Sequence, residues 1–265
     1  MMENSLPVGP KDSASLRVII ATQDDGFVIP GMVERVCDEA GVEVVAILSL
    51  TGGGSVESQR WKFLRGFGIW QAFTLYARLF VERFSGPARA KTLRRVAVSR
   101  GIPFEMTGDV NGASTIEQLR ALGPDVIVSF SAPVVFGPAL LKLPRLACIN
   151  LHCSLLPRYA GLMPSFWVLY HGERETGATV HEMDTQIDNG AILGQVRVAL
   201  IADDTVSSVI SKTKAAGLKV VLDVLRQMRH GAWNRLPNDR TTGSYHTWPS
   251  LDEIRAFRRR GGRLA

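Results

Sequence analysis

Short runs rich in valine and isoleucine, alternating with stretches of helical spacing, constrain this chain more than any other feature. The runs are Leu16–Thr22, Val42–Leu50, Arg95–Ser99, Asp125–Ser131 and Ala147–Cys153. They are apolar almost throughout rather than at every second position, the pattern of strands covered on both faces in a parallel sheet. Helical spacing is found at about 28–40, 56–84 and 115–122, the last with Ser114 or Thr115 as its cap and Gly123-Pro124 as its stop. Such alternation predicts right-handed βαβ crossovers and an α/β fold: an open, Rossmann-like, doubly wound, mostly parallel sheet. In sheets of this kind ligands lie at the carboxyl ends of the strands.

The later part of the chain reads differently. Pro164 opens a helix to about Tyr170, closed by Gly172, and Gly177–Asp184 and Ala191–Ile201 read as two further strands. The polar turn Thr185-Gln186-Ile187-Asp188-Asn189-Gly190 between them makes an antiparallel hairpin. Residues 205–230 form a helix with an apolar stripe through Val209, Leu218, Val221 and Leu225. The expected organisation is a disordered tail over 1–15, a main domain over 16–203 and a short C-terminal helical appendage over 204–265. Phe63, Phe67, Trp70, Phe73, Ala77, Phe80 and Phe84 recur at three- and four-residue steps. That face suits a membrane-surface or dimerisation helix or, as preferred here, packing on the body of the protein; a homodimer stays open.

Several function classes fall away. No apolar run approaches the ~20 residues of a membrane span. There is no Walker loop, no Gly-x-Gly-x-x-Gly after the first strand and no zinc spacing, so neither a dinucleotide nor a metal is expected. The three cysteines, Cys37, Cys148 and Cys153, read as reduced thiols of a cytoplasmic protein. The net charge of +6 gathers around Arg78–Arg100 and Arg258–Arg263, which reads as solvated surface rather than a nucleic-acid site.

Chemistry concentrates in Ile149-Asn150-Leu151-His152-Cys153-Ser154-Leu155-Leu156-Pro157. Residues two apart on a strand share a face, so Asn150 and His152 present an amide and an imidazole together where the strand runs out. An amide donor beside a titratable ring suits a carbonyl oxygen that becomes an oxyanion. Equally, such residues at a strand end serve to satisfy the following loop. Cys153, facing the opposite way, reads as packing.

These residues, with Arg158-Tyr159-Ala160-Gly161, with Gly177-Ala178-Thr179-Val180-His181 and with Asp188-Asn189-Gly190-Ala191-Ile192-Leu193, resemble the folate-dependent formyltransferase family. That family includes the glycinamide ribonucleotide, methionyl-tRNA and sugar N-formyltransferases. The similarity is strong over roughly 95–200 and weaker over 16–60. It implies transfer of a formyl group from N10-formyltetrahydrofolate to an amine on a small molecule, with Asn150, His152 and Asp188 catalytic. Asn150 and protonated His152 would donate to the oxyanion, while Asp188 would hold His152 charged and receive the amine's proton. Ser154 and His181 are supporting positions. The resemblance also places the folate against Val134, Val135 and Phe136, with a loop through Asp184 and Ile187 opposite.

Departures from the family bear on the acceptor. Thr22-Gln23-Asp24-Asp25 stands where a glycinamide ribonucleotide enzyme has a phosphate loop, and two carboxylates there disfavour a phosphate. Asp24 and Asp25 are therefore candidate acceptor-binding residues. About 60 residues follow Ala202, too few for the basic barrel of the methionyl-tRNA enzyme. The implied acceptor is an amine of a small metabolite, such as an amino sugar on a nucleotide carrier. A glycinamide ribonucleotide enzyme, or a binding protein on this fold that has lost catalysis, are the alternatives. Ser244–Pro249 either borders the acceptor or caps the fold, with capping preferred.

Overall fold

The protein is described by a computed structural model covering residues 15–25, 27–52, 54–68, 73, 77 and 92–265. The expected tail, apart from Ser15, and Trp70, Phe80 and Phe84 of the aromatic stretch lie outside the described residues.

Seven strands form the main sheet: β1 (Leu16–Thr22), β2 (Val42–Leu50), β3 (Phe104–Thr107), β4 (Val126–Ser129), β5 (Ala147–His152), β7 (Glu175–Glu182) and β8 (Ile192–Ala199). Their order is β3-β2-β1-β4-β5-β7-β8. The first five are parallel, and β7 and β8 run antiparallel to their neighbours, as the late hairpin predicted.

Two expectations fail in one region. Arg95–Ser99 lies in a helix, α3 (Leu93–Ser99), which follows α1 (Ile29–Cys37) and α2 (Gly54–Phe67). Leu93, Val96 and Ala97, at helical spacing, are the buried residues, and Thr92 accepts the Arg95 N–H at 3.2 Å as a cap. The missing strand is β3, an edge strand of mixed exposure with no apolar run to announce it. The next helix, α4 (Ala113–Ala121), is capped at Gly112 rather than at Ser114 or Thr115.

Alternation along the strands sorts side chains to two faces. Val18, Ile20, Val126, Val128, Ile149, Leu151, Ala178 and Val180 meet α1, α3 and the long helix that ends near Arg229. Ile19, Ala21, Ile127 and Cys148 face the other way, toward Leu119 of α4 and Leu140 of α5 (Pro138–Leu141). That second face carries the polar positions at the strand ends, because Asn150 and His152 follow Cys148 in the two-residue period. The antiparallel pairing sets His181 opposite Asn150 and Thr179 opposite His152. The sheet therefore presents its polar side chains together at one edge of one face.

Beyond β5, the two-residue strand β6 (Ala160–Gly161) and α6 (Pro164–Tyr170) complete the loop, and α7 (Val206–Arg229) follows β8. Thr205 and Ser208 cap α7 reciprocally. The boundary expected at 203/204 falls just before α7, whose Val221, Leu222, Val224 and Leu225 lie in the same core as β5 and β7. The chain then runs through β9 (Tyr245–His246), parallel to β6, into α8 (Leu251–Arg259). A separate cluster joins Phe63 and Phe67 of α2 to Phe166, Trp167, Ile254 and Phe257. These two residues of the aromatic face thus pack on the body, as preferred. Gly66 permits that contact, since a Cβ there would lie 2.9 Å from Ile254 Cδ1.

Candidate active site

Strand β5 delivers His152 at its last residue, buried at 6% exposure. Asp188 arrives from the β7–β8 turn with φ of 51°, a left-handed conformation that a non-glycine residue adopts only under local constraint. Its Oδ2 lies 3.3 Å from His152 Nδ1 and accepts the Gly161 N–H at 2.8 Å, while Oδ1 lies 3.4 Å from His181 Nε2. Asn150 Nδ2 stands 3.3 Å from the same His181 nitrogen. Asn150, His152, Gly161 and His181, from three strands, thus gather around the carboxylate that the turn supplies.

Electrostatics follow from these contacts. Burial pushes the Asp188 carboxyl up, but the His152 ring, the His181 ring and the Gly161 N–H outweigh it and hold the group well below the usual carboxylate range. His181 Nδ1 lies 2.7 Å from the Glu182 carbonyl, so that nitrogen carries a hydrogen. Nε2 then accepts from the Asn150 amide when the ring is neutral and donates to Asp188 Oδ1 when it is protonated.

His152 departs from the simple picture. Its Nε2 lies 2.8 Å from the Tyr159 carbonyl, so both ring nitrogens face acceptors inside the protein. The amide of Asn150 is the better-placed donor for an incoming oxygen. Tyr159 itself has φ of 58°. Its conformation is fixed from two sides: Ser154 Oγ donates to its carbonyl at 3.2 Å, and its own N–H donates to Ser244 Oγ at 2.8 Å. Ser154, fully buried, therefore shapes the loop that takes up His152.

The segment after α7, singled out in the sequence only at Ser244–Pro249, braces both loops. Leu236 bridges to Ile192. Asn238 Nδ2 donates to the carbonyls of Asp188 and Gly190 at 3.0 and 3.1 Å, and Arg240 donates to those of Ile187 and Asp188 at 2.9 and 3.3 Å. Sequence reasoning missed these contacts, for they end on backbone oxygens, which leave no side-chain pattern to read. Ser244–Pro249 also sits here, with Trp167 Nε1 donating to the Thr247 carbonyl at 3.0 Å.

The remaining expected positions divide. Val135 is 53% exposed and Ile187 40% exposed, whereas Phe136 is buried in the core. Asn111, also missed, pins this stretch by donating to the Val135 carbonyl and accepting the Gly137 N–H, at 2.9 and 2.7 Å. Asp184 spends both oxygens inside its own turn, on the Gln186 N–H and the Asn189 amide. Ser129, in register with Asn150 on β4, has a buried hydroxyl with no hydrogen-bond partner among the described residues.

Asp24 and Asp25 are committed elsewhere. Asp24 accepts the Leu93 N–H at 2.9 Å. Asp25 Oδ1 accepts the N–H groups of Phe27, Val28 and Ile29, each at 3.0 Å, and Oδ2 lies 3.1 Å from Lys214 Nζ. Asp25 is the anion at the start of α1, paired to a cation from α7.

Residues 96–225, which contain the whole Asn150–His152–His181–Asp188 cluster, match the family model described as formyl transferase. That stretch, about half of the chain, has the character of a formyl transferase domain. It is 35% identical over 156 residues to a methionyl-tRNA formyltransferase from a Cyanothece species, a stretch covering 58% of this chain and 47% of the relative. The chain thus spans about half the length of that relative. Among solved structures, a sugar N-formyltransferase from a Shewanella species superposes with a TM-score of 0.60 at 16% identity, covering 92% of this chain and 87% of the other. A glycinamide ribonucleotide transformylase from Symbiobacterium toebii gives 0.62 at 17% identity, covering 88% and 100%. An N-formyltransferase from Helicobacter canadensis, in complex with folinic acid and dTDP-3-aminofucose, gives 0.62 at 16%, covering 92% and 80%. All three share the formyltransferase fold with this chain. Among the described residues no helix is long and apolar enough to cross a membrane, and no group of histidine, cysteine and acidic residues has the form of a metal site.

Proposed function

We propose that this protein transfers the formyl group of N10-formyltetrahydrofolate to the primary amine of a small metabolite, an amino sugar on a nucleotide carrier being the preferred acceptor. The observation that carries the reading is the Asp188 carboxylate held between His152 and His181 beside the Asn150 amide. The flanks of this site fit a flat folate ring, since Val135 and Ile187 offer exposed apolar surface. The donor supplies an activated formyl carbonyl.

This chain's own residues then divide the work. Asn150 donates its amide N–H to the carbonyl oxygen as negative charge develops there. His152, when protonated, adds a second N–H by releasing the Tyr159 carbonyl. Asp188, an ionised carboxylate, stabilises the His152 ring and takes the proton lost by the attacking amine, directly or through water. The C–N bond to the acceptor forms, the bond from the formyl carbon to the donor nitrogen breaks, and the proton passes to that nitrogen. In this reading the catalytic unit extends beyond residue 203 to include α7 and the bracing segment through His246. Support for an amino sugar nucleotide comes from the Helicobacter relative's acceptor and from Asp25, which already fills the start of α1 with its own charge.

The test is incubation with N10-formyltetrahydrofolate and a panel of amines, read by mass spectrometry for the gain of one CO unit. A nucleotide-linked amino sugar should gain it, and the Asp188→Asn protein should not produce it. Formylation of glycinamide ribonucleotide in preference to every amino sugar would refute the acceptor assignment, and no formylation of any amine would refute the reaction.

A further inference from the structure

The loop after β5 and the bracing segment enclose a cleft of about 280 Å³ lined by Arg158, Tyr159, His171, Thr242, Ser244 and His246. Stacked rings form its walls. The His246 ring stacks between Tyr159 (5.3 Å, 16°) and Trp167 (4.7 Å, 27°), and Trp167 stacks in turn on His171 (5.9 Å, 23°). Its polar groups are unevenly spent. Two carboxylates act here: Glu173 is taken up by the Tyr159 hydroxyl at 2.7 Å and by Arg158, and Glu253, which acts on His246, accepts from the Ser250 N–H and hydroxyl at 2.7 Å. Donors remain in surplus: Arg158 has further N–H groups, Ser244 Oγ accepts from Tyr159 and keeps its own hydrogen, and the ring nitrogens of His171 and His246 make no hydrogen bond among the described residues. A cleft with spare donors and no spare carboxylate suits an anion.

Its position ties it to the chemistry. Tyr159 supplies its ring to the cleft and its carbonyl to His152 Nε2, from a left-handed backbone of the kind found at ligand clamps. The other place on the sheet rim where an anion would settle, the start of α1, is occupied by Asp25. We infer that this cleft binds a phosphoryl group of the acceptor and so positions the acceptor's amine against Asn150 and His152. The inference rests on the proposed transfer reaction and adds where the acceptor is held. At about 280 Å³ the cleft lies just under the ~300–1,000 Å³ of sites that enclose drug-sized ligands, so it takes one end of the acceptor rather than all of it.

Calorimetric titration of the full chain with inorganic pyrophosphate and with thymidine diphosphate tests this. Both should bind, in competition with each other; tighter binding of the nucleotide would extend the site to a nucleotide-borne phosphoryl group, and equal binding would confine it to the phosphoryl group itself. Arg158→Gln and His171→Asn change exposed side chains, and each should weaken both probes by roughly ten- to a hundredfold. Neither substitution should alter the rise in melting temperature produced by 5-formyltetrahydrofolate. Binding that survives both substitutions unchanged, or no binding of either probe by the unaltered protein, overturns the inference. Loss of the folate response with pyrophosphate binding intact would instead count against the proposed reaction and leave the cleft standing.

Discussion

Replacing Asp25 by alanine removes one carboxylate that does two jobs. Its Oδ1 satisfies three N–H groups at the start of α1, and its Oδ2 pairs with Lys214, whose side chain is only 10% exposed. Loss of a cap costs about 0.5–2 kcal/mol. Leaving a buried partner charge unpaired costs about 3–5 kcal/mol, and since the same group is lost in both, the total should be near that larger figure. For a domain of this size that is a fall of roughly 6–20 °C in melting temperature. The assay is equilibrium unfolding in urea of the unaltered protein, Asp25→Ala, Lys214→Met and the double variant. The double variant should recover most of the loss, because no charge is then stranded. Acid should erase the difference. Burial pushes the Asp25 carboxyl up, but Lys214 and the backbone N–H groups prevail and hold it below 3.8. A depressed pKa gives stability that is complete above the unfolded value and is lost as pH falls through the folded one. The gap between the unaltered protein and Asp25→Ala should therefore stay constant from pH 7 to about 5 and close below 3.8. A loss under about 1 kcal/mol at pH 7, or a double variant no better than Asp25→Ala, would show that the ion pair does not hold α7 to the start of α1.

Other outcomes follow from the site. Asn150→Ala should lower turnover by about 10²–10³ with little change in folate affinity, measured by stopped assay and thermal shift; an effect on binding alone would remove Asn150 from oxyanion stabilisation. Asp188→Asn should abolish turnover while far-ultraviolet circular dichroism stays unchanged. Asn238→Ala removes one of two donors to the Asp188 carbonyl and the donor to the Gly190 carbonyl, and should reduce turnover by roughly tenfold at a stability cost of about 1 kcal/mol; full activity would show that the turn keeps its shape without the brace. Gly161→Ala should fold poorly or lose activity, since at φ of 92° its Cβ would sit 2.2 Å from the His246 carbonyl oxygen; a variant with unchanged melting temperature would contradict the β6–β9 pairing.

The parts of this fold that the sequence announces are those governed by local periodicity. Buried parallel strands are apolar runs, so β1, β2, β4 and β5 were legible, as were Pro164 at the start of α6 and the stripe of α7. Arg95–Ser99 misled because two valines and an alanine beside arginines read as an apolar run, whereas its buried positions follow helical spacing. The edge strand β3 has little to bury and so no pattern to show. Within the site, Asn150 and His152 were visible through the two-residue strand period, and Asp188 through the resemblance to the formyltransferase family. Contacts made by carbonyls carry no residue code. Tyr159 receives His152 through its backbone oxygen, and Asn238 and Arg240 reach backbone oxygens of a turn some fifty residues earlier. The role of Asp25 was hidden for another reason: its partner Lys214 is 189 residues away.

The brace over residues 236–246 also sets a schedule. Asn150, His152, His181 and Asp188 leave the ribosome well before Asn238, Arg240 and Ser244, and a chain is made at about 5–20 residues per second. For that interval the sheet has its residues, yet the turn carrying Asp188 and the loop carrying Tyr159 lack the groups that hold their left-handed conformations. A nascent chain stalled at α7 would therefore be a folded but idle scaffold, and competence would come with the arrival of a short polar segment that contributes nothing to the hydrophobic core.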